Sequence, residues 1–157
     1  MNDLGLYYTL AQIAISLIGF SGIVVVFGDR FKRNWTPEEV LKFYALIAPP
    51  ITALFCAFIP SIFNAVIEDV NLIWQLANAA LGILHLANFG YFVFKLKNAV
   101  TIQKVAGVSA IIMIAAHFLA ATNSIPFHET IFIIGLLQQI SVGILNFVLL
   151  FKPTASN

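Results

Sequence analysis

Five long apolar runs, none of which contains Lys, Arg, Asp or Glu, make up most of this 157-residue sequence. They are Leu4–Gly28, Phe43–Ile67, Val70–Phe94, Val105–His128 and Thr130–Phe151. Each is at least as long as the roughly 20 apolar residues that cross a bilayer as one helix. The sequence therefore predicts an all-α membrane bundle of five helices, at about 5–27, 37–66, 70–94, 104–122 and 129–151. Because the connections are short, we expect one membrane domain spanning residues 1–157.

The basic residues predict how this bundle is oriented. All eight Lys and Arg residues follow the first, third or fifth run, whereas the remaining connections carry only acidic side chains and His128. Basic loops stay in the cytoplasm, so the N-terminus is expected outside and the C-terminus inside. The first run is long and lacks a basic flank, so it is expected to be a retained helix rather than a signal peptide. Tyr7, Tyr8 and Trp74 then fall at the outer interface, where amphipathic rings are favoured.

The second helix has clear signals for its start and shape. Thr36 and Glu39 have the spacing of a capping box, and Pro37 suits the first helical position. Pro49 and Pro50 each remove a backbone donor, so a bend is expected near Pro50. Small residues at every fourth position predict close approach of another helix: Ala53, Ala57, Ser61 and Ala65.

A weak internal repeat relates helices two and three to helices four and five. A shift of 61 positions, from residue 68 to residue 129, aligns the two segments without a gap. The matched positions are Glu68 with Glu129, Asn78 with Gln139, and His85 with Asn146. A parallel repeat of this kind often places a site between its two halves.

Polar side chains inside the predicted helices are the candidate ligand-binding or pore-lining residues. They are Asn78, His85, His117, Gln139 and Asn146, with Gln12 and Gln75. On helix three, Asn71 and three of these residues lie within about 40° of one line along the helix. Hydrocarbon offers an amide no partner, so the stripe predicts either a polar cavity open toward the outside or amides that hold helices together.

The two intramembrane histidines, His85 and His117, are functional candidates because ionisable groups are costly in a bilayer. As a proton-relay pair they suit the titration range of imidazole, and as satisfied core residues they need no function. Haem ligation is disfavoured by the expected offset of about 6 to 10 Å along the helices. No carboxylate accompanies them in the spans, which argues against an ordinary cation-coupled or proton-coupled transporter.

Several classes of protein are excluded or disfavoured. A net charge of +1 argues against nucleic acid binding. Cys56 is the sole cysteine, so it forms no intramolecular disulfide and no cysteine-based metal site. The sequence has no HExxH and no glycine-rich phosphate loop, so an enzyme is not expected. No cofactor is expected, and haem is the least unlikely one.

The stretch from Ala14 to Gly28, AISLIGFSGIVVVFG, precedes a basic loop and Trp35-Thr36-Pro37. This segment resembles the start of small multi-span bacterial membrane proteins to which no function is assigned. The resemblance covers about the first 40 residues. It implies a bacterial inner-membrane location and supplies no activity or site.

Two functional hypotheses follow from the sequence. The first is a small channel-like or transport-type protein with a polar intramembrane path for a solute or ion that the sequence does not identify. The second is a non-transporting membrane subunit that binds a lipid, a partner protein or a cofactor. Small-residue faces on helices one and two predict a homo-oligomer in the lipid bilayer.

Overall fold

The computed structural model describes residues 4–27 and 35–151, and their regular structure is helical. The elements are α1 (Leu4–Phe27), α2 (Pro37–Cys56), α3 (Ile59–Asn64), α4 (Val70–Phe94), α5 (Thr101–Ala121) and α6 (His128–Phe151), with a short 3-10 turn at Leu96–Asn98. Five segments are long and apolar enough to cross a membrane: α1, α2 with α3, α4, α5 and α6. The prediction of an all-α fold with five helical segments able to span a membrane is therefore confirmed, and it suggests a multi-pass membrane protein. The basic cluster Arg30, Lys32 and Arg33 lies outside the described residues.

The start of α2 is fixed by the predicted capping box. The Thr36 hydroxyl accepts a hydrogen bond from the Glu39 backbone N–H at 3.2 Å, and Glu39 Oε2 accepts from the Thr36 backbone N–H at 3.0 Å. Pro37 occupies the first helical position, where its missing donor costs nothing. The sequence signal and the structure agree here.

The prediction of one uninterrupted helix over 37–66 is wrong, whereas the bend expected near Pro50 stays a prediction. The helix continues through Pro49 and Pro50 and ends at Cys56, and a separate short helix begins at Ile59. Pro60 explains the interruption, because it has no N–H for the carbonyl of Cys56 and its ring would overlap that carbonyl in a continuous helix.

Tertiary packing holds the Pro49-Pro50 pair within α2. The most extensive helix contact in the described bundle joins α2 to α6. A Cβ added at Gly143 would overlap Pro50 Cγ and lie 2.9 Å from Leu17 Cδ2. Gly143 thus lets the proline ring rest directly on the backbone of α6.

The α6 helix is central, since it contacts α1, α2, α4 and α5. We call the end of the bundle that carries Glu68, Asp69 and Glu129 the acidic end. The opposite end, where α2 and α5 begin and α4 finishes, is the basic end, with Lys42, Lys95, Lys97 and Lys104. The two ends prove to be packed very differently.

Aromatic packing fills the acidic end. Tyr7, Trp74 and Phe132 have ring centroids 5.8 to 6.2 Å apart, and Tyr7 is only 1% exposed. The Tyr7 hydroxyl donates to Glu129 Oε1 at 2.8 Å, which ties α1 to α6. Tyr7 and Trp74 therefore point into the bundle, whereas Tyr8 is 44% exposed on its surface.

The small-residue ridge is partly used inside the protomer. Ala53 and Ala57 are buried in the same cluster as Ala11 and Ala14 of α1. Ser61 is half-buried and Ala65 is exposed beyond the break in the helix. This part of the ridge packs α2 on α1 and is not a free surface.

The internal repeat stays a prediction. The interruption at positions 57 and 58 would correspond to positions 118 and 119, where α5 is continuous. The matched pairs Asn78 and Gln139, and His85 and Asn146, are nevertheless all buried on α4 and α6.

Candidate functional site

Most candidate side chains from the sequence converge in the interior. Asn78, His85, His117, Gln139 and Asn146 are each no more than 3% exposed. Gln12 is exposed on α1 and Gln75 is half-buried on α4, so neither joins this interior group. Asn71 is exposed at the start of α4. The buried candidates divide into a packed layer and a cavity.

The packed layer is built around Asn78 and His117. Asn78 Nδ2 donates to the backbone oxygens of Trp74 and His128, at 2.9 Å each. Its Oδ1 lies 2.9 Å from His117 Nδ1. Because two carbonyls fix the amide orientation, Oδ1 must accept, and the proton of the imidazole resides on Nδ1. One amide thus joins α4, α5 and the start of α6.

Two glycines let the His117 ring fit between helices. A Cβ at Gly135 would overlap the His117 imidazole, and one at Gly82 would lie 3.0 Å from His117 Cβ. The ring therefore rests against the α6 backbone, and its Nε2 has no hydrogen-bond partner in the part of the chain that the structure describes. We call Asn78, His117, Gly82 and Gly135 the packed layer. These contacts fill the space between α4, α5 and α6 at the depth of His117.

A partly open cavity of about 60 Å³ lies on the basic side of this layer. It lies between α2, α4, α5 and α6, and is lined by Leu41, Tyr44, Ala45, Pro49, His85, Asn88, Phe89, Phe92, Gln103, Ala106, Gly107, Ala110, Gln138, Gln139, Val142 and Asn146. Since one water needs about 10 to 15 Å³ by this measure, the space admits several waters or a small solute.

Three cavity-lining residues have a buried polar atom without a partner among the described residues. The atoms are His85 Nδ1, Gln138 Oε1 and Gln139 Nε2. An unsatisfied buried polar atom costs about 1 to 3 kcal/mol, and native interiors contain few of them. Their residues border one cavity, so unmet hydrogen-bonding capacity is concentrated in its wall.

Satisfied hydrogen bonds frame the same cavity nearer the basic end. Gln103 Nε2 donates to Asn146 Oδ1, while Gln103 Oε1 accepts from the Val100 backbone N–H at 3.0 Å. On the other wall, the Tyr44 hydroxyl donates to Asn88 Oδ1 at 3.2 Å. Asn88 in turn donates to Thr52 Oγ1 at 3.0 Å. We call these hydrogen-bonded residues, Gln103, Asn146, Tyr44 and Asn88, the rim of the cavity. The rim is thus ordered, and the unpartnered atoms lie among fixed neighbours.

The cavity does not open where the sequence predicts it. A cavity open toward the outside would lie at the acidic end, where Tyr7, Trp74 and Phe132 fill the space and Asn78 bonds to His117. The described cavity occupies the opposite half. Hydropathy predicts how deep in the membrane a polar residue lies. The size of the neighbouring side chains decides where a cavity remains.

Sequence reasoning missed Gln103, Gln138 and Tyr44 as cavity residues, and it places Asn88 only at the edge of the polar stripe on helix three. Gln103 adjoins Lys104 in a stretch expected to precede the helix, whereas α5 begins at Thr101 with Gln103 capping the Val100 N–H. That Gln occupies the third helical position, which is a recognisable N-terminal signal. Gln138 and Gln139 are neighbours that point in different directions around α6. The sequence alone does not show which of these directions face the cavity.

The geometry does not fit a haem held by His85 and His117. His117 is not among the residues that line the cavity, and its Nδ1 is bonded to Asn78. Cofactor pockets are about 300 to 1,000 Å³, several times the space described here. Over residues 4–27 and 35–151, no three His, Cys, Asp or Glu side chains are grouped to hold a metal ion.

No family model, curated protein or solved structure matches this chain. The resemblance in the first 40 residues therefore stays a prediction.

Proposed function

We propose that this protein is a small transport-type membrane protein that binds a small polar solute in the cavity between α2, α4, α5 and α6. The observation that carries the proposal is the grouping of three unpartnered polar atoms, on His85, Gln138 and Gln139, at one intramembrane cavity. Interhelical amides that serve only as packing satisfy one another, as Gln103 and Asn146 do.

The packed layer favours a gated carrier over a continuously open channel. An open channel needs a hydrated path through the bundle, and the Asn78 and His117 contacts interrupt such a path on the acidic side. Alternating access requires a site near mid-membrane that is closed to one side at a time. A cavity bounded on one side by a packed layer has the form of one such state.

The orientation belongs to the same proposal. With the N-terminus outside, the cavity faces the cytoplasm of a bacterium whose inner membrane holds the protein. Reporter fusions should place Glu68 and Glu129 outside, and Lys97 and Lys152 inside. A cytoplasmic Asn2 would reverse the direction in which the cavity opens and contradict this orientation.

Flux measurements on reconstituted protein test the transport proposal. His85→Leu and Gln139→Leu should each lower protein-mediated solute flux about tenfold while leaving assembly intact, because each removes a hydrogen-bonding side chain from the cavity wall. Asn71→Leu is the control, since Asn71 is exposed at the acidic end, away from the cavity. Normal flux in both cavity variants would favour the rival hypothesis, a membrane subunit that binds a lipid or partner and transports nothing.

Self-association is proposed through the outward face of α1. Gln12, Ser16 and Gly19 are exposed there, and a Cβ at Gly19 would meet nothing within 4 Å. A lipid-facing amide lacks a partner, whereas two copies related by a twofold axis can pair their Gln12 amides. Native mass spectrometry in lipid should show an oligomer that Gln12→Leu weakens, and a persistent monomer would contradict it.

A further inference from the structure

We infer that the cavity selects an uncharged solute of a few non-hydrogen atoms that carries both hydrogen-bond donors and acceptors, the chemistry of a urea, a primary amide or a small polyol. This inference rests on the proposed function and specifies its substrate class. It follows from the size of the cavity, the absence of charge in its wall, and the complementarity of its free polar atoms.

Size limits the solute first. A volume of about 60 Å³ admits several waters, and it is well below the space that a nucleotide, a haem or a lipid headgroup occupies. The wall is also rigid on two sides, because Gln103 is bonded to Asn146 and Asn88 is bonded to both Tyr44 and Thr52.

Charge is excluded next. Within residues 4–27 and 35–151, no Asp, Glu, Lys or Arg side chain lines the cavity. An ion here would lose its hydration without gaining a counter-charge, and a charge at mid-membrane is strongly disfavoured. Neutral amides and imidazole replace the hydration of an uncharged solute at much lower cost.

The free atoms then specify hydrogen bonding. Gln138 Oε1 accepts, Gln139 Nε2 donates, and His85 Nδ1 does either according to its tautomer. A solute with an oxygen acceptor and an N–H or O–H donor offers a complementary group to each of these atoms. Gln138 is oriented for this role, because its Nε2 donates to Ser109 Oγ at 3.3 Å and leaves the oxygen free. A solute with acceptors alone leaves the Gln138 oxygen unsatisfied.

The test compares urea, guanidinium and nitrate, which share a planar trigonal shape and the same number of non-hydrogen atoms but differ in charge. Full-length protein in liposomes is loaded with each solute, and efflux is compared with empty liposomes, with glycerol as a second uncharged probe. Urea and glycerol efflux should exceed the empty-liposome rate. Protein-mediated guanidinium and nitrate efflux should be at least about a hundredfold slower than that of urea.

Variants assign that flux to the cavity. Gln139→Leu, close to the volume of glutamine, should lower urea efflux about tenfold through loss of one hydrogen bond. His85→Leu is the second variant, and Asn71→Leu should retain wild-type efflux. Size-exclusion profiles in detergent confirm that the variants compared are folded.

The outcomes separate this inference from the transport proposal. Efflux of guanidinium or nitrate without urea would overturn the substrate class and leave transport standing. Stabilisation of the protein by urea-class probes at millimolar concentration, lost in Gln139→Leu but without flux, would support the ligand class and overturn transport. Neither flux nor stabilisation with urea or glycerol would overturn the inference together with the function on which it rests.

Discussion

The acidic and basic ends of this bundle bury comparable polar side chains but surround them differently. At the acidic end, both donors and the acceptor of Asn78 are engaged, and glycines bring helix backbones onto His117. Toward the basic end, His85 and Gln139 are also almost fully buried, yet each has a free polar atom at a cavity. Burial is similar, and His117 Nε2 in the packed layer is unpartnered as well, so a free polar atom marks a candidate binding group only where its residue also borders the cavity.

The largest effect is expected at the centre of the packed layer. Asn78→Leu removes two donated bonds and leaves His117 Nδ1 without its acceptor, so we expect a loss of about 2 to 3 kcal/mol. Asn71→Leu, an exposed amide on the same helix, should change stability by less than about 0.5 kcal/mol. Thermal denaturation in detergent compares the two, and equal melting temperatures would remove the distinction between the ends.

Gly135→Ala should cost about 1 to 2 kcal/mol, because its Cβ overlaps the His117 imidazole and overpacking outweighs the helix propensity of alanine. Gly90→Ala is the matched control. Its Cβ meets nothing within 4 Å on α4, so that substitution should be neutral or stabilising by up to about 1 kcal/mol. Melting curves in one detergent suffice. If both variants behave alike, His117 is not held as tightly as the packed layer requires.

The cavity residues should contribute little to stability. His85→Leu and Gln139→Leu each replace a side chain with an unpartnered atom, so both should shift stability by less than about 1 kcal/mol, and stabilisation is an allowed direction. The loss is expected in flux instead. A destabilisation as large as that of Asn78→Leu would place these residues in the structural class.

The smallest effect is expected at the rim. Tyr44→Phe removes one hydroxyl that donates to Asn88 at 3.2 Å, a long bond at a half-buried site. We expect a loss of about 0.5 kcal/mol, since Asn88 keeps its bond to Thr52. Thermal melting resolves this with replicates. A loss above about 2 kcal/mol would show that the rim, like the acidic end, is built for stability.

The helical architecture could be predicted from the sequence because bilayer length and apolar runs leave few alternatives. The structure places α4 at Val70–Phe94, where a helix over 70–94 is expected, and the Thr36 cap is confirmed. Pro60 was the residue that mattered in the second span, although Pro49 and Pro50 are the more conspicuous pair. The sequence shows where the prolines are. It does not show which of them the packing of neighbouring helices keeps inside a continuous helix.

The site was harder to predict for a related reason. The sequence identified Asn78, His85, Gln139 and Asn146 as inward-facing, because amides and imidazoles avoid lipid. The sequence could not show which of these side chains are fully hydrogen-bonded and which have a free polar atom. That depends on partners such as the His128 carbonyl and Gln103, which lie on other helices. Space in the interior depends in the same way on which aromatic rings meet, as at Tyr7 and Trp74.

The tolerated prolines have one consequence for how the cavity wall is made. Pro49 and Pro50 have no N–H, so the main-chain oxygens of Ala45 and Leu46 cannot receive the usual bond from four residues ahead. Ala45 itself lines the cavity. A residue of the cavity wall thus carries a backbone oxygen that the helix leaves without its usual donor, and no side-chain substitution at position 45 alters this.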